Sequence, residues 1–458
     1  MKDKHAVIWT RAGGSPVKMG DLLVTTAETR FSYSEEFLAS GNPAGLSLLA
    51  SPALYGEQPV VYPARDQIPL FPRLMSMLPG HGPHNIQRRI YTRILEKRPN
   101  PPAPGLETDW EILLLAGHNG IGHLDVFRDD RAAQAAYARH PESQLSPGTR
   151  HALWESVRHE LRNEVDDVGA ELLARLIGPT PSVGGMIPKL LVAIPDAPEW
   201  DGRFAPPGTP NMDDRPCTEV VLKIEPMEYR GVLTLEAFCL DLHHRLGFEV
   251  PRHWLRIIDG MTVLAVERFD RTPERRPVPL ESLFSVFAVG DRYFQETADV
   301  DLAEVGHRIT RLGQVCNLDV SATLHALYRR FLLAFFTGNG DLHLENLSLL
   351  GDPADVVLAP VYDPAPMRAW SRHNTRSAIP IVFDDRIGGL RENYIALGRA
   401  FDLSPNQAAA IIDETHAATR DYINDIMALE TVPIENRRFL AGVLREERPR
   451  MMTPAAPR

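Results

Sequence analysis

The chain has 458 residues, 44% of them hydrophobic and 24% charged, with a formal net charge of −11 at pH 7. That length sets an expectation of two to four domains with a sizeable core, and the acidic balance excludes a general electrostatic pull toward nucleic acid. Three cysteines, Cys217, Cys239 and Cys316, lack CxxC spacing, which argues against a disulfide framework or a zinc site and fits a reducing compartment.

The N-terminal MKDKHAVIWTRAGGSP has no apolar core of signal-peptide length, and no apolar run reaches the roughly 18 residues that span a bilayer. The expectation is a soluble, cytoplasmic protein without membrane contact. Residues 5–95 mix short strand-like runs with turns. Within them Arg88, Arg89 and Arg93 cluster with Lys97, most simply as a solvated helix face. The proline-rich KRPNPPAPGLETD (97–109) cannot be helix interior, because proline removes a donor and clashes with the preceding turn. WEILLLAGHNGIGHLDVF (110–127) then reads as helix, glycine-rich turn and short strand. Residues 1–150 together are expected to form a separate α+β module.

From about residue 150 the pattern changes. ALWESVRHELRNEVDDVGAELLARLIG (152–178) has long helical stretches that end at a glycine. SVGGMIPKLLVAI (182–194) is a small-residue turn followed by an apolar strand, and IPDAPEWDGRFAPPGTPNMDDRP (194–216) is a long proline-rich loop. TEVVLKIEP (218–226) is a second strand, and LTLEAFCLDLHHRLG (233–247) is a helix stopped by Gly247. LRIIDGMTVLAVERFDR (255–271) is a hairpin around Asp259-Gly260. Residues 300–430 are mostly helical, interrupted by FTGNGDLHLENLSLL (336–350) and by two short strands in LSLLGDPADVVLAPVYDPAP (347–366). A small sheet with one helix (151–275) followed by a helical lobe (276–458) is the expected layout.

This order of elements suits phosphoryl transfer from ATP, where the protein contributes positioning and charge stabilisation rather than covalent chemistry. Gly184 and Gly185 in SVGGMIPK let the backbone approach a phosphate, and consecutive N–H groups can form an anion-binding nest. Lys223 lies in the strand VVLKIE, with Leu222 and Ile224 facing the other way, and Glu236 follows on the next helix. In GNGDLHLEN, Asp341 can take a hydroxyl proton and Asn346 can bind a hard cation through its amide oxygen. Asp363 ends the second short strand, where a second Mg²⁺ ligand belongs. Each piece is ordinary by itself; their order along the chain is not.

GNGDLHLEN with the following YDPAP, VVLKIE, LAVERFDR and SVGGMIPK resembles the HipA family of serine/threonine kinases, the toxin halves of bacterial toxin–antitoxin pairs. FSYSEEFLASGNPAGLSLL (31–49) is similar to that family's N-terminal module, so the resemblance covers most of the chain. It implies an α+β, two-lobed protein-kinase-like fold, with a small β-rich N-lobe, a mostly helical C-lobe and an extra N-terminal module. It also implies ATP and Mg²⁺ as cofactors, Asp341 as catalytic base, and Asn346 and Asp363 as metal ligands. Lys223 would contact the phosphates, and Gly184, Gly185, Met186, Ile187, Pro188 and Lys189 would cover the ATP. Glu267, Arg268 and Phe269 would hold adenine through backbone groups, His343 and Tyr362 would lie at the nucleotide, and Ser182 would be the autophosphorylated serine. The implied partners are a small helix-turn-helix DNA-binding antitoxin, DNA only through that complex, and a protein substrate such as an aminoacyl-tRNA synthetase.

The sequence departs from the family at Glu345, where a Lys is usual; Arg368 is a candidate replacement cation. Three other readings stand beside the toxin kinase. GDLHLEN also resembles the catalytic loop of aminoglycoside- and choline-type small-molecule kinases. A catalytically weak kinase fold could serve as a binding partner or corepressor, which Glu345 favours. A metal hydrolase on His343 with His118 or His123 lacks the HxxxH spacing it needs.

Overall fold

The computed structural model describes residues 3–63, 70–81, 85–138, 187–212, 214–288 and 300–453. They divide into two compact units: Met1–Pro226 with Pro251–Arg292 and Leu349–Pro353, and Met227–Val250 with Tyr293–Ser348 and Ala354–Arg458. The expected limits are different cuts. The one at 150 falls outside the described residues, and the one at 275 lies inside the Pro251–Arg292 piece.

Among the described residues, the first unit carries two larger antiparallel sheets. Strands β1 (Lys4–Thr10), β2 (Val17–Val24), β3 (Glu28–Tyr33), β4 (Val60–Pro63) and β5 (Leu124–Phe127) are ordered β4-β3-β2-β1-β5. Helices α1 (Ile86–Glu96) and α2 (Leu106–Ala116) belong to the same module. Asn85 caps α1 by accepting the Arg88 N–H, which satisfies one of the donors a helix start leaves open. Arg88 also pairs with Asp109 of α2, so the basic cluster is partly neutralised by its neighbour helix.

The second sheet is built from β6 (Lys189–Pro195), β7 (Arg215–Ile224), β8 (His253–Ile258) and β9 (Met261–Glu267), in the order β6-β7-β9-β8. The β8–β9 turn places Asp259 at φ 48° and Gly260 at φ 76°. Two consecutive left-handed residues are what a tight hairpin demands, and Asp-Gly meets that demand at little strain. Period-two alternation sends Leu190, Val192, Ile194, Val220, Leu222, Ile224, Val263 and Ala265 into one core. That core also holds Ile8, Leu22, Phe31, Tyr62 and Leu113, so the N-terminal module and the second sheet share their apolar interior. Lys189 and Lys223, opposite one another across β6 and β7, face away from it.

The second unit is mainly helical. Its elements include α3 (Val232–Arg245), α4 (Val320–Thr337), the short strand β11 (Asp355–Leu358) that follows β10 (Ser348–Asp352) in sequence, and α5 (Ile434–Met452). Asp319 caps α4 by accepting the Ala322 N–H. Tyr328, Phe331, Phe335 and Phe336 of that helix are buried, as are Tyr394, Phe401, Ile412, Tyr422, Leu440 and Leu444 from later elements. The helical stretch expected at 152–178 lies outside the described residues. Among the described residues no helix is long and apolar enough to cross a membrane.

Candidate active site

Helix α4 ends on Gly338, whose φ of 81° is the left-handed stop that glycine supplies without steric cost. Gly338 and Asn339 fold back to donate to the Ala334 carbonyl at 3.0 and 2.9 Å. The Asn339 side chain then accepts the Asp341 N–H at 3.1 Å, and His343 N–H donates to the Asp341 carbonyl at 2.9 Å. Gly340 has no alternative: a Cβ there would lie 1.9 Å from the Thr375 carbonyl oxygen. The Gly-Asn-Gly triplet is therefore the machinery that presents Asp341 directly after a buried helix.

Asn346 is joined to the same turn. Its Nδ2 donates to the Asp341 carbonyl at 3.0 Å, which fixes which amide atom points away. The other atom, Oδ1, is buried and has no hydrogen-bond partner. A buried acceptor left unmet costs free energy, and native proteins keep few of them without a purpose. Asn346 lines a cleft with Asn339, Leu342, Tyr362, Pro364, Arg330 and His243.

Tyr362 donates its hydroxyl to the Glu345 carbonyl at 2.7 Å and lies 2.6 Å from the Ser348 hydroxyl. It thereby ties the chain just before Asp363 to the turn that carries Asn346. Asp363 has φ 51°, a left-handed conformation that Asp adopts more readily than most non-glycine residues. His343 is buried, and its Nδ1 accepts the Glu345 N–H at 3.3 Å, so it shapes the loop from inside. Glu345 is also buried, at 6% exposure. Arg368 is held by Glu447 at 2.7 and 3.0 Å and by Asn374 at 2.9 Å, so this cation is already engaged.

Burial pushes the His243 imidazole down to about 4, and its Nδ1 donates to the Cys239 carbonyl at 2.7 Å. Burial also pushes the Arg330 guanidinium down to about 10, which leaves it charged at neutral pH. Neither residue carries a local sequence signal. Each reaches the cleft only because α3 and α4 present one face to it.

The remaining candidates lie in the first unit. Lys223 and Lys189 are both buried at 4% and 7% exposure on facing strands, and the Pro188 carbonyl accepts the Ile224 N–H at 3.0 Å. Ile187 precedes them at the start of the described segment. Glu267 binds Arg252 through both carboxylate oxygens at 2.7 Å, and its N–H donates to the Arg252 carbonyl. Phe269 is half-buried. Arg268 is wholly committed to structure: its guanidinium binds Asp270, Glu219 and the Gly120 carbonyl, while its N–H donates to the Glu219 carbonyl. Ser182, Gly184, Gly185 and Met186 lie outside the described residues. Among the described residues no cluster of three His, Cys, Asp or Glu is placed to hold a metal.

The family model described as the HipA-like C-terminal domain matches residues 181–423, more than half of the chain. The chain belongs to this HipA-like family. Two curated relatives are similar to it in part: a protein of Haemophilus influenzae named "Putative kinase" (26% identical over 170 residues, 35% of this chain) and "Putative kinase Y4dM" of Sinorhizobium fredii (25% over 236 residues, 48% of this chain). The chain spans about half the length of each of these relatives, 50% in both cases. Among solved structures, the Shewanella oneidensis HipA toxin, determined with HipB and operator DNA, matches with a TM-score of 0.61 at 16% identity, over 95% of both chains. The α+β, HipA-like fold implied by the sequence motifs is thus the observed one.

Proposed function

We propose that this HipA-like protein is an ATP- and Mg²⁺-dependent serine/threonine protein kinase and the toxin of a toxin–antitoxin pair. The observation that carries this reading is the Asp341–Asn346 arrangement. One amide atom of Asn346 fastens it to Asp341, and the other, an oxygen, is buried and unmet. A hard cation takes oxygen ligands, and a buried, unmet amide oxygen is one such ligand. Asn346 and Asp363 would hold Mg²⁺. Lys223, Lys189 and the backbone of 184–188 would hold the phosphates, and backbone groups of 267–269 would hold the adenine. With the Arg268 side chain saturated, that residue's share is limited to its main chain.

Bound MgATP supplies an activated γ-phosphoryl group with part of its charge neutralised. The protein's task is then to place and deprotonate the acceptor. Asp341 accepts the serine hydroxyl proton on its carboxylate as the oxygen attacks. His343 and Tyr362 keep the turn and the chain before Asp363 in register with it. Ser182 would be an internal acceptor, and a phosphate of charge near −2 there would repel ATP phosphates. A helix-turn-helix antitoxin is supported as partner by the likeness to a toxin solved with HipB and operator DNA. An aminoacyl-tRNA synthetase is the proposed external substrate.

Purified chain incubated with Mg²⁺ and γ-labelled ATP should label itself, and Ser182→Ala should remove that label. Asp341→Ala should cut transfer by about 10²–10⁴-fold, the usual share of a general base. Equal labelling of wild type and Asp341→Ala would refute the role of Asp341. Absence of labelling from wild type, with ATP bound, would favour a binding-only kinase fold.

A further inference from the structure

The segment 367–377 runs as a strap beside the turn that presents Asp341. Two contacts bind it there. The Arg368 N–H donates to the Gly338 carbonyl at 3.2 Å, and the Thr375 carbonyl packs on Gly340 so closely that only glycine fits. These contacts fall one and three residues before Asp341. The strap is itself held from α5, the last described helix. Asn436 donates to the Ala369 carbonyl at 2.9 Å. Glu447 binds Arg368 through both oxygens, at 2.7 and 3.0 Å, and binds Arg376 at 3.1 and 3.3 Å.

One carboxylate therefore closes both ends of the strap. Arg368 and Arg376 bracket the stretch whose backbone touches Gly338 and Gly340. Arg368 and Glu447 are nearly enclosed, with side chains 4% and 12% exposed, so the pair is little screened by solvent. The forked geometry adds direction as well as energy, since two parallel N–H···O bonds fix the orientation of the guanidinium. Burial alone would push the Glu447 carboxyl up, but the bonds from Arg368 and Arg376 hold it below its ordinary value.

We infer that Glu447 is a positioning residue for phosphoryl transfer: by clamping Arg368 and Arg376 it fixes the strap that sets the Gly338–Asp341 turn. In many switchable proteins an added phosphate gathers arginines to order such a segment. Here the negative charge belongs to a residue the chain always carries, so the turn is ordered without modification. The bonds of Glu447 run to Arg368 and Arg376 of the strap, so its loss should affect turnover more than nucleotide affinity.

This inference rests on the kinase reading, and the test separates the two. Hydrogen exchange of peptides covering 338–346 is measured without nucleotide on wild type, Glu447→Gln and Arg376→Gln. The amides of Asp341, His343 and Asn346 are bonded within this stretch and report its order directly. In parallel, kcat and the KM for ATP are measured for self-labelling and for Glu447→Asp as the conservative variant. Exchange in Glu447→Gln should rise several-fold. Its kcat should fall about 10²-fold, the effect of roughly 1 Å misplacement, with KM for ATP little changed and part of kcat kept in Glu447→Asp. Arg376 is a third exposed, so Arg376→Gln removes one arm of the clamp while leaving the enclosed pair, and it serves if Glu447→Gln does not fold. Unchanged exchange at 338–346 in a folded variant overturns the inference. A wild type that transfers no phosphate overturns the kinase reading, while the exchange result still decides the role of Glu447.

Discussion

Two buried polar regions of this protein differ in one respect. In the first unit, Arg268 and Arg271 are saturated. Between them they bind Glu219, Asp270 and the carbonyls of Gly120 and Gly122, while the Gly122 N–H donates to Asp270 at 2.7 Å. In the second unit, Asn346 of the Asp341–Asn346 turn is buried too, yet its Oδ1 is left open. A closed polar network rigidifies, because every member would be costly to strand. An open one leaves an acceptor to be met, and the proposed kinase reading puts a cation there. The contrast separates residues that the HipA resemblance groups together, since Arg268 and Asn346 both came with nucleotide roles.

The largest expected effect tests the closed side. Arg268→Ala strands Asp270 and Glu219 without their main counter-charge. Breaking a buried ion pair from one side costs about 3–5 kcal/mol, so urea unfolding should show a loss of that order. ATP affinity of the folded fraction should stay within about twofold. A variant that keeps its stability but loses ATP binding would break the comparison, because Arg268 would then act at the nucleotide.

Next comes the open side. Asn346→Ala removes one bond to the Asp341 carbonyl, worth about 1 kcal/mol of stability. Phosphoryl transfer should fall much further, by about 10²–10³-fold, as when one preorganised polar contact at a reacting centre is removed. The Mg²⁺ concentration giving half-maximal activity should rise with it. A stability loss matching that of Arg268→Ala, with transfer preserved in the folded fraction, would mean the Asn346 amide is only structural.

What the sequence made legible follows the same division. The Asp259-Gly260 hairpin, the strand around Lys223 and the turn from Gly338 to Asn346 are local: their residues and their geometry lie within a few positions. The partners of Arg268 at Gly120 lie 148 residues away, and those of Arg368 at Glu447 lie 79 away. VERFDR therefore reads as a nucleotide motif until the 119–122 loop is seen in contact with it. The shared core has the same cause. Leu190 lies in a strand read as apolar and Ile8 in a strand-like run, but neither local pattern says that they share one core.

The closed network also sets an acid limit. Burial alone would raise the Asp270 carboxyl, but Arg268 and Arg271 more than compensate and hold it at about 2, against an ordinary 3.8. A carboxylate depressed on folding stabilises the native state fully above its unfolded value, and that contribution is lost as pH falls through the folded one. Stability of the first unit should therefore decline between about pH 4 and pH 2 on this account. Asp270→Asn removes the titration and leaves Arg268 and Arg271 short of a charge. Its stability should start lower at neutral pH and fall less steeply across that window, read as urea midpoints in a pH series. Parallel curves for the two proteins would show that Asp270 does not titrate on unfolding there, and the network would then be held by Glu219 instead. The open turn should not share this profile, because Asn346 has no proton to gain, so a matched series on Asn346→Ala should run parallel to wild type.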